Sequence, residues 1–279
     1  MTGPVWVNGS LMDPTVAALS VFDHGFTVGD GVFETMLSYA DTGLAFARQH
    51  LVRLRSSAAG LALTVPFEDT ELLFAISEVI ASAGPATGDV RVRLTVTGGA
   101  GPLGSDRGGA VPTVTIAAAP QSPWPPTSTL APVPWPRNER GALAGLKTTS
   151  YAENVVALHA AHEAGADEAL FCDTRGNVCE GTGTNVFAVI DGELVTPPLT
   201  TGCLAGVTRD VVIKHYGATE KFFSLDDLRR ATEVFVTSTT REVQGVCEVI
   251  GIVTLDECPA PTTRAAHAAY NEARRNHVD

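Results

Sequence analysis

The stretch APQSPWPPTSTLAPVPWP, residues 119–136, contains seven prolines and divides the sequence into two halves. Proline fixes φ at about −65° and offers no amide donor, so this composition predicts a connector rather than a packed element. We therefore expect a small N-terminal α+β domain over residues 1–118 and a larger C-terminal domain over residues 137–279. With 279 residues and 44% apolar content, the chain is long enough for two domains of ordinary size.

The N-terminal half combines period-two and helical patterns. Its predicted elements are a hairpin around Asn8-Gly9, a strand at 31–39, helices from Gln49 to Leu61 and from about Asp69 to Ala83, and strands at 89–99 and 110–120. The C-terminal half mixes the same two patterns. Its predicted elements are helices at 152–164, near Gly206, near Leu225 and from about Thr262, strands in EALFCD and EVFVTS, and a hairpin around Asp191-Gly192.

Charge and cysteine content limit the functional classes. The net charge of −12 argues against nucleic acid or an anionic membrane as the main partner, although a few local arginines can still bind an anionic ligand. The five cysteines are odd in number and show no CxxC spacing, so we expect neither a disulfide framework nor a metal site. No signal-peptide pattern and no membrane-length apolar run is visible, which predicts a cytoplasmic protein.

Lysine is scarce, with three residues against sixteen arginines. Lys214 and Lys221 lie in polar surroundings, whereas Lys147 lies in GALAGLKTTSYAE, after a run of small apolar residues. An amine in an apolar setting has a lowered pKa and becomes a better nucleophile. The simpler interpretation is a loop lysine that reaches solvent.

Four further features could surround such an amine. Glu180 in CEGTGTNVF has no basic neighbour in sequence and could hold a cofactor's ring nitrogen, or be a solvated turn residue. A helix beginning near Thr208 could bind phosphate with its first amides, or simply have a threonine cap. The hydroxyl run 237–240 could donate further bonds to phosphate, or be a polar strand end. Arg53 could supply the counter-charge, or lie on a solvated helix face.

Together these features form an ordered set of six motifs. They are GDGVFET (29–35), HLVRL (50–54), LKTTSY (146–151), EGTGTNVF (180–187), LAGVTRD (204–210) and VTSTT (236–240). The set resembles the class IV aminotransferases, the fold-type IV enzymes that use pyridoxal phosphate (PLP). That family includes branched-chain and D-amino-acid aminotransferases, (R)-selective amine transaminases and 4-amino-4-deoxychorismate lyase.

The resemblance implies a role for individual residues. Lys147 would form the Schiff base with PLP and act as general base, and Glu180 would bind the pyridine nitrogen. The remaining cofactor contacts would come from Arg53, the backbone of Val207 and Thr208, Ser238, Thr239 and Tyr151. The family fold implies a small α+β domain and a larger pseudo-barrel domain with PLP between them, in a homodimer. The partners would be a small amino donor and a keto acid acceptor.

The substrate is less well defined by the sequence. Phe33 stands where D-amino-acid aminotransferases have a carboxylate-binding tyrosine, and the loop at 95–108 lacks their Arg-x-His pair. Arg107 on that loop could still recognise a carboxylate. Arg91 and Arg93 lie on one strand face and could bind a carboxylate or form a cross-strand salt bridge.

Three functional hypotheses follow. An aminotransferase is favoured because Tyr151 and Phe33 match aminotransferase patterns. The stretch SVFDHGFTVGDGVFET (20–35) also resembles aminodeoxychorismate lyases, which would release 4-aminobenzoate and pyruvate. A non-catalytic binding protein is the remote alternative, because every motif position is intact.

Overall fold

The computed structural model describes residues 3–82 and 88–276, which form two compact units. The first contains the chain up to Pro123 together with Leu146–Tyr151, and the second contains Trp124–Gly145 and Ala152–Asn276. The segment around Lys147 therefore belongs to the first unit, although the sequence placed it in the C-terminal domain. The outer limits predicted at residues 1 and 279, and the predicted helix end at Ala83, lie outside the described residues.

The first unit is an antiparallel sheet with two main helices. Its elements are β1 (Val5–Val7), β2 (Ser10–Met12), α1 (His24–Thr27), β3 (Gly31–Tyr39), β4 (Gly43–Leu44), α2 (Ala47–Gly60), α3 (Asp69–Ser82), β5 (Val90–Thr97) and β6 (Thr113–Pro120). The strands lie in the order β2-β1-β6-β5-β3-β4. The predicted hairpin is confirmed, and Asn8 and Gly9 both adopt the positive φ that this two-residue turn requires.

Alternation along β5 separates core from surface in this unit. Val92 and Leu94 are fully buried in a core shared with Leu51 of α2 and Ile76 of α3, whereas Arg91 and Arg93 are exposed on the opposite face. Because side chains alternate across a strand, the two arginines share one face, as predicted. That exposed face is the one available for polar chemistry.

The second unit contains the larger sheet. Its elements are β7 (Thr127–Pro132), α4 (Ala152–Glu163), β8 (Glu168–Cys172), β9 (Val178–Glu180), β10 (Asn185–Ile190), β11 (Glu193–Thr196), α5 (Val207–His215), β12 (Thr219–Glu220), β13 (Ala231–Ser238), β14 (Glu242–Val249), β15 (Val253–Thr254) and α6 (Pro261–Asn276). Short 3₁₀ turns lie at Leu199–Thr201 and Asp227–Arg230.

Six strands of this sheet form a closed ring. The order β10-β13-β14-β7-β8-β9 returns to its start because β9 also pairs with β10, through Glu180 and Asn185. Fully buried aliphatic residues on these strands, among them Leu130, Val186 and Val246, fill the interior. The two-unit α+β architecture with a barrel-like sheet confirms the predicted fold class.

Three sequence predictions need correction. The proline-rich stretch is not simply a connector, because Thr127–Pro132 forms β7 between β14 and β8. Its prolines flank TSTLA and leave the amides of those five residues available for pairing. The helix predicted near Leu225 is only the 3₁₀ turn at Asp227–Arg230, and β14 was not predicted.

Cysteine pairing also differs from expectation. Cys247 on β14 and Cys258 ahead of α6 form a disulfide, whereas Cys172, Cys179 and Cys203 are free. The sequence spacing gave no hint of this pair, because the fold brings the two residues together. Among the described residues, no helix has the length and apolar character needed to cross a membrane.

Candidate active site

The backbone around Lys147 is fixed against the start of β3. The carbonyl of Lys147 accepts from the Phe33 amide at 3.0 Å, and the Thr149 amide donates to the Gly31 carbonyl at 2.8 Å. The Lys147 amide donates to Ser57 Oγ of α2 at 3.1 Å. These bonds place the lysine on a paired backbone segment rather than on a free loop.

The Lys147 side chain lies beside an aromatic pair. Its Nζ is 4.4 Å from the centroid of the Phe33 ring, and the Arg93 guanidinium carbon is 3.2 Å from that centroid. Tyr151 meets the same ring edge-on at 5.3 Å. The first unit therefore brings three predicted site residues, Lys147, Arg93 and Tyr151, together around a fourth, Phe33, which is 3% exposed. An amine against a ring face loses part of its hydration and gains a cation–π contact.

Arg53 is held by a buried carboxylate that the sequence analysis did not identify. Its Nε and Nη2 donate to the two oxygens of Glu34 at 2.7 and 2.8 Å, and His50 Nδ1 donates to Glu34 Oε2 at 2.7 Å. Burial alone would raise the pKa of Glu34, but the charge and hydrogen bonds of Arg53 and the bond from His50 lower that pKa to about 2. Burial lowers the pKa of His50, so the ring donates as a neutral group.

Two of the predicted substrate residues are already engaged. Arg107 donates to both oxygens of Asp30 at 2.6 and 2.7 Å and to the carbonyls of Leu61 and Ala62. This geometry favours a role in anchoring the 98–111 loop over a role in substrate recognition. Arg91 donates to Gln121 at 2.8 Å on the exposed sheet face. Arg93 is the arginine that lies beside Phe33.

In the second unit, Glu180 lies at the seam where the ring of strands closes. Its Oε2 accepts the Leu204 amide at 2.9 Å, and its Oε1 lies 3.3 Å from Arg137 Nε. The side chain is 13% exposed. The sequence suggested no basic neighbour for Glu180, and Arg137 becomes one only through folding.

The loop after Glu180 is held by another buried carboxylate. Glu168 Oε1 accepts from the Thr182 amide at 3.0 Å and from the Thr182 hydroxyl at 2.5 Å. Arg241 lies 3.5 Å from Glu168 Oε2, and Asn154 Nδ2 donates to the Thr182 carbonyl at 2.8 Å. These contacts fix the direction in which the chain leaves Glu180.

The N-terminus of α5 has the features of an anion-binding site. Gly206 caps the helix without a side-chain hydrogen bond, and Thr208 in the first turn is buried. A methyl group at Gly206 would overlap Asn185 Oδ1, so only glycine fits there. The Thr237 hydroxyl, on the strand residue paired with Asn185, is buried without a protein partner. Uncapped helix amides and an unpartnered buried hydroxyl suit a phosphate group.

Four residues that support the predicted site residues were not identified from the sequence. Glu34, Arg137, Glu168 and Asn185 each bind a predicted residue or its loop. One signal was available for Glu34. His50 and Arg53 are three positions apart on a helix and so share a face, where a single carboxylate can bind both. The contacts of Arg137 and Glu168 join segments that are further apart in sequence, and the pairing of Asn185 with Glu180 depends on closure of the ring of strands. Ser238 Oγ accepts from the Arg241 amide at 3.1 Å and keeps its O–H as a donor.

The sequence matches those of known aminotransferases. The family model described as amino-transferase class IV matches residues 31–249. A Methanocaldococcus jannaschii protein provisionally named a branched-chain-amino-acid aminotransferase is 33% identical over 291 residues, covering 97% of this chain and 96% of that protein. The D-alanine aminotransferase of Bacillus licheniformis is 32% identical over 277 residues, covering 96% of each.

Solved structures agree with the sequence relatives. The branched-chain aminotransferase of the thermophilic archaeon Thermoproteus uzoniensis, in a structure with norvaline, has a TM-score of 0.91 and 29% identity to this chain. The match covers 99% of this chain and 95% of that structure. The resemblance inferred from six motifs is thus confirmed over most of the sequence, and the chain belongs to the class IV aminotransferases.

Proposed function

We propose that this protein uses PLP, attached covalently to Lys147, to move an amino group between an amino acid or amine and a keto acid. When bound, PLP serves as an electron sink that makes the Cα proton of an amino substrate acidic. The observation that carries the proposal is Lys147, a half-buried lysine fixed by its backbone and packed against Phe33.

The residues present fit this cofactor. The α5 N-terminus with Val207 and Thr208, the unpartnered Thr237 hydroxyl and Thr239 two residues further on would hold the phosphate. For Arg53, the phosphate contact is only what the family resemblance implies. Glu180 would accept a hydrogen bond from the ring nitrogen. Tyr151, packed against Phe33, would donate to the ring oxygen.

The protein's own groups would carry the proton transfers. With PLP and an amino substrate bound, Lys147 Nζ would be the group that takes the Cα proton and later gives it back. The Phe33 ring face lies 4.4 Å from that nitrogen and shields it from water. Lys147 therefore serves as both tether and base.

Arg93 is the residue we assign to the substrate carboxylate. The residue as a whole is exposed on its strand face, and its guanidinium stacks on Phe33, the ring that also contacts Lys147. An accessible arginine at this position can bind a carboxylate through paired hydrogen bonds. Arg91 and Arg107, already engaged with Gln121 and Asp30, are less suited to this role.

We also propose a homodimer, because the first unit exposes a contiguous apolar segment. Its large apolar side chains are 45–76% exposed, namely Leu19, Val21, Phe22, Phe26 and Val28. Exposed apolar surface of this kind commonly marks a protein interface. Phe26→Glu should lower the mass measured by sedimentation, whereas Phe74→Glu, on an exposed phenylalanine of α3, should leave it unchanged. An unchanged mass in Phe26→Glu contradicts the assignment of this surface.

The cytoplasmic location expected from the sequence stays a prediction.

A half-reaction panel tests the activity. PLP-loaded protein is mixed separately with D-alanine, L-leucine, (R)-1-phenylethylamine and aminodeoxychorismate, and pyridoxamine phosphate is measured. An amino donor should convert the cofactor, and Lys147→Ala should abolish borohydride fixation of PLP to the protein. Release of 4-aminobenzoate and pyruvate without formation of pyridoxamine phosphate would instead support the lyase. Failure to bind added PLP would exclude both enzymes.

A further inference from the structure

Arg137 is a partly buried cation beside Glu180, the carboxylate proposed to bind the ring nitrogen. Its Nε lies 3.3 Å from Glu180 Oε1, and its side chain is 15% exposed. The Leu204 amide donates to the other oxygen of Glu180 at 2.9 Å. Glu180 therefore accepts a hydrogen bond at one oxygen and has a guanidinium nitrogen in ion-pair range of the other, both from the second unit. Positive charge and hydrogen-bond donors at this range favour the ionised carboxylate.

The position of Arg137 is fixed by contacts on its other sides. Nη1 donates to Glu153 Oε2 at 2.8 Å and to Asn154 Oδ1 at 2.9 Å, both at the start of α4. Its guanidinium carbon lies 4.0 Å above the Phe171 ring on β8. These contacts hold the guanidinium in one orientation, which leaves Nε in ion-pair range of Glu180.

The positive charge of Arg137 matters because it affects which atom carries a proton that a carboxylate shares with a ring nitrogen. A carboxylate facing a pyridine-type nitrogen can form an ion pair, with the proton on nitrogen, or a neutral pair, with the proton on oxygen. In a largely buried site, desolvation penalises the ion pair. A fixed cation next to the carboxylate reverses that preference, because it stabilises the negative oxygen more than the protonated one.

We propose that Arg137 is a positioning residue that keeps Glu180 deprotonated, so that the shared proton stays on the ring nitrogen of PLP. This inference rests on the proposed function, since it takes Glu180 as the partner of that nitrogen. The protonated ring is the better electron sink, so Arg137 supports catalysis without contacting the substrate. A purely structural arginine would tie α4 to the barrel and leave the proton's position unchanged.

The test reads the proton directly. PLP labelled with nitrogen-15 in the ring is bound to wild type, Arg137→Gln, Arg137→Lys and Glu153→Gln, and the nitrogen chemical shift is recorded from pH 6 to pH 9 on protein with matched cofactor content. Wild type should give the protonated-ring shift. Arg137→Gln should move toward the neutral-ring shift, and Arg137→Lys should lie between them because it keeps the charge but loses the fork. Glu153→Gln should match wild type, since the glutamine oxygen can still accept from Arg137 Nη1 and the change leaves the charge beside Glu180 in place.

A kinetic readout accompanies the spectrum. Removing the positive charge beside Glu180 in Arg137→Gln should lower kcat about tenfold to a hundredfold, with KM changed less than kcat. Recovery in Arg137→Lys should follow the recovery of the nitrogen signal. If Arg137→Gln is too unstable to study, Arg137→Lys alone carries the comparison.

The outcomes separate this inference from the activity itself. A wild-type shift in Arg137→Gln, or in Arg137→Lys where that variant stands alone, overturns the role of Arg137 and leaves the aminotransferase proposal intact. An unprotonated ring nitrogen in wild type overturns the role of Arg137 and that of Glu180. Wild-type protein that fails to bind PLP removes the proposed function and this inference with it.

Discussion

Replacing Glu34 with glutamine tests the buried network behind Arg53. Glu34 is fully buried and accepts two bonds from Arg53 and one from His50. Glutamine keeps the size of the side chain but removes its charge and turns one oxygen into a donor that faces other donors. The substitution therefore leaves the Arg53 guanidinium without its carboxylate partner.

The size of the effect follows from the ionisation of Glu34. Burial opposes ionisation, but Arg53 and His50 outweigh it and lower the pKa from the usual 4.5 to about 2. Each pKa unit is worth about 1.4 kcal/mol, so the ionised network contributes roughly 3 kcal/mol at neutral pH. Removing one partner of a buried ion pair typically costs about 3–5 kcal/mol, which is consistent with the roughly 3 kcal/mol derived from the pKa of Glu34.

The pH dependence has a definite sign. Because the carboxylate has a lower pKa folded than unfolded, its stabilisation is complete above about pH 4.5 and is lost as the pH falls toward 2. Urea unfolding of wild type and Glu34→Gln at pH 7 and pH 3 measures the difference. We expect a gap of about 3–5 kcal/mol at pH 7 that shrinks by about 2 kcal/mol at pH 3.

A matched variant distinguishes the network from a general loss of charge. Glu68, an exposed residue ahead of α3 in the same unit, should tolerate glutamine with a change within about 0.5 kcal/mol. A gap for Glu34→Gln that stays the same from pH 7 to pH 3 would refute the reasoning. So would a wild-type unfolding midpoint in Glu34→Gln at pH 7, because either result means that Glu34 is not ionised in the fold.

Two other predictions concern the phosphate cradle and the 98–111 loop. Gly206→Ala should weaken PLP binding at least about tenfold in a fluorescence titration, because the new methyl overlaps Asn185 and moves the first amides of α5. The control is Gly183→Ala, whose new methyl meets no atom within 4 Å. Equal PLP affinities of the two variants would contradict the phosphate cradle. Arg107→Gln should lower unfolding stability by about 1–3 kcal/mol through the lost bonds to Asp30 and two carbonyls. If that loop arginine instead binds substrate, KM will rise while stability stays unchanged.

Local chemistry made much of the fold predictable. The helical spacing behind α2 lies within one short window, and the Asn8-Gly9 turn follows from the φ values that those residues tolerate. Lys147 stood out because lysine is rare in this chain, and the six ordered motifs identified the family. Each turn, helix or motif is recognised from residues that lie close together in the sequence.

The errors came from pairing between distant segments. β7 was hidden in a proline-rich stretch, and its partners β8 and β14 lie far along the chain. The disulfide of Cys247 and Cys258 depends on the same long-range folding. Periodicity cannot reveal a short strand whose stability comes from neighbours that are remote in sequence.

The sequence by itself determined the family, many of the local elements and the candidate lysine, because these depend on residue identity and local spacing. Only the tertiary structure placed Arg137 against Glu180, 43 positions away, and Glu34 against Arg53. Ionisation of a buried carboxylate depends on the charges within a few ångströms and on exclusion of water. Those distances exist only once the chain has folded, so the electrostatics of the site could not be read from the order of its residues.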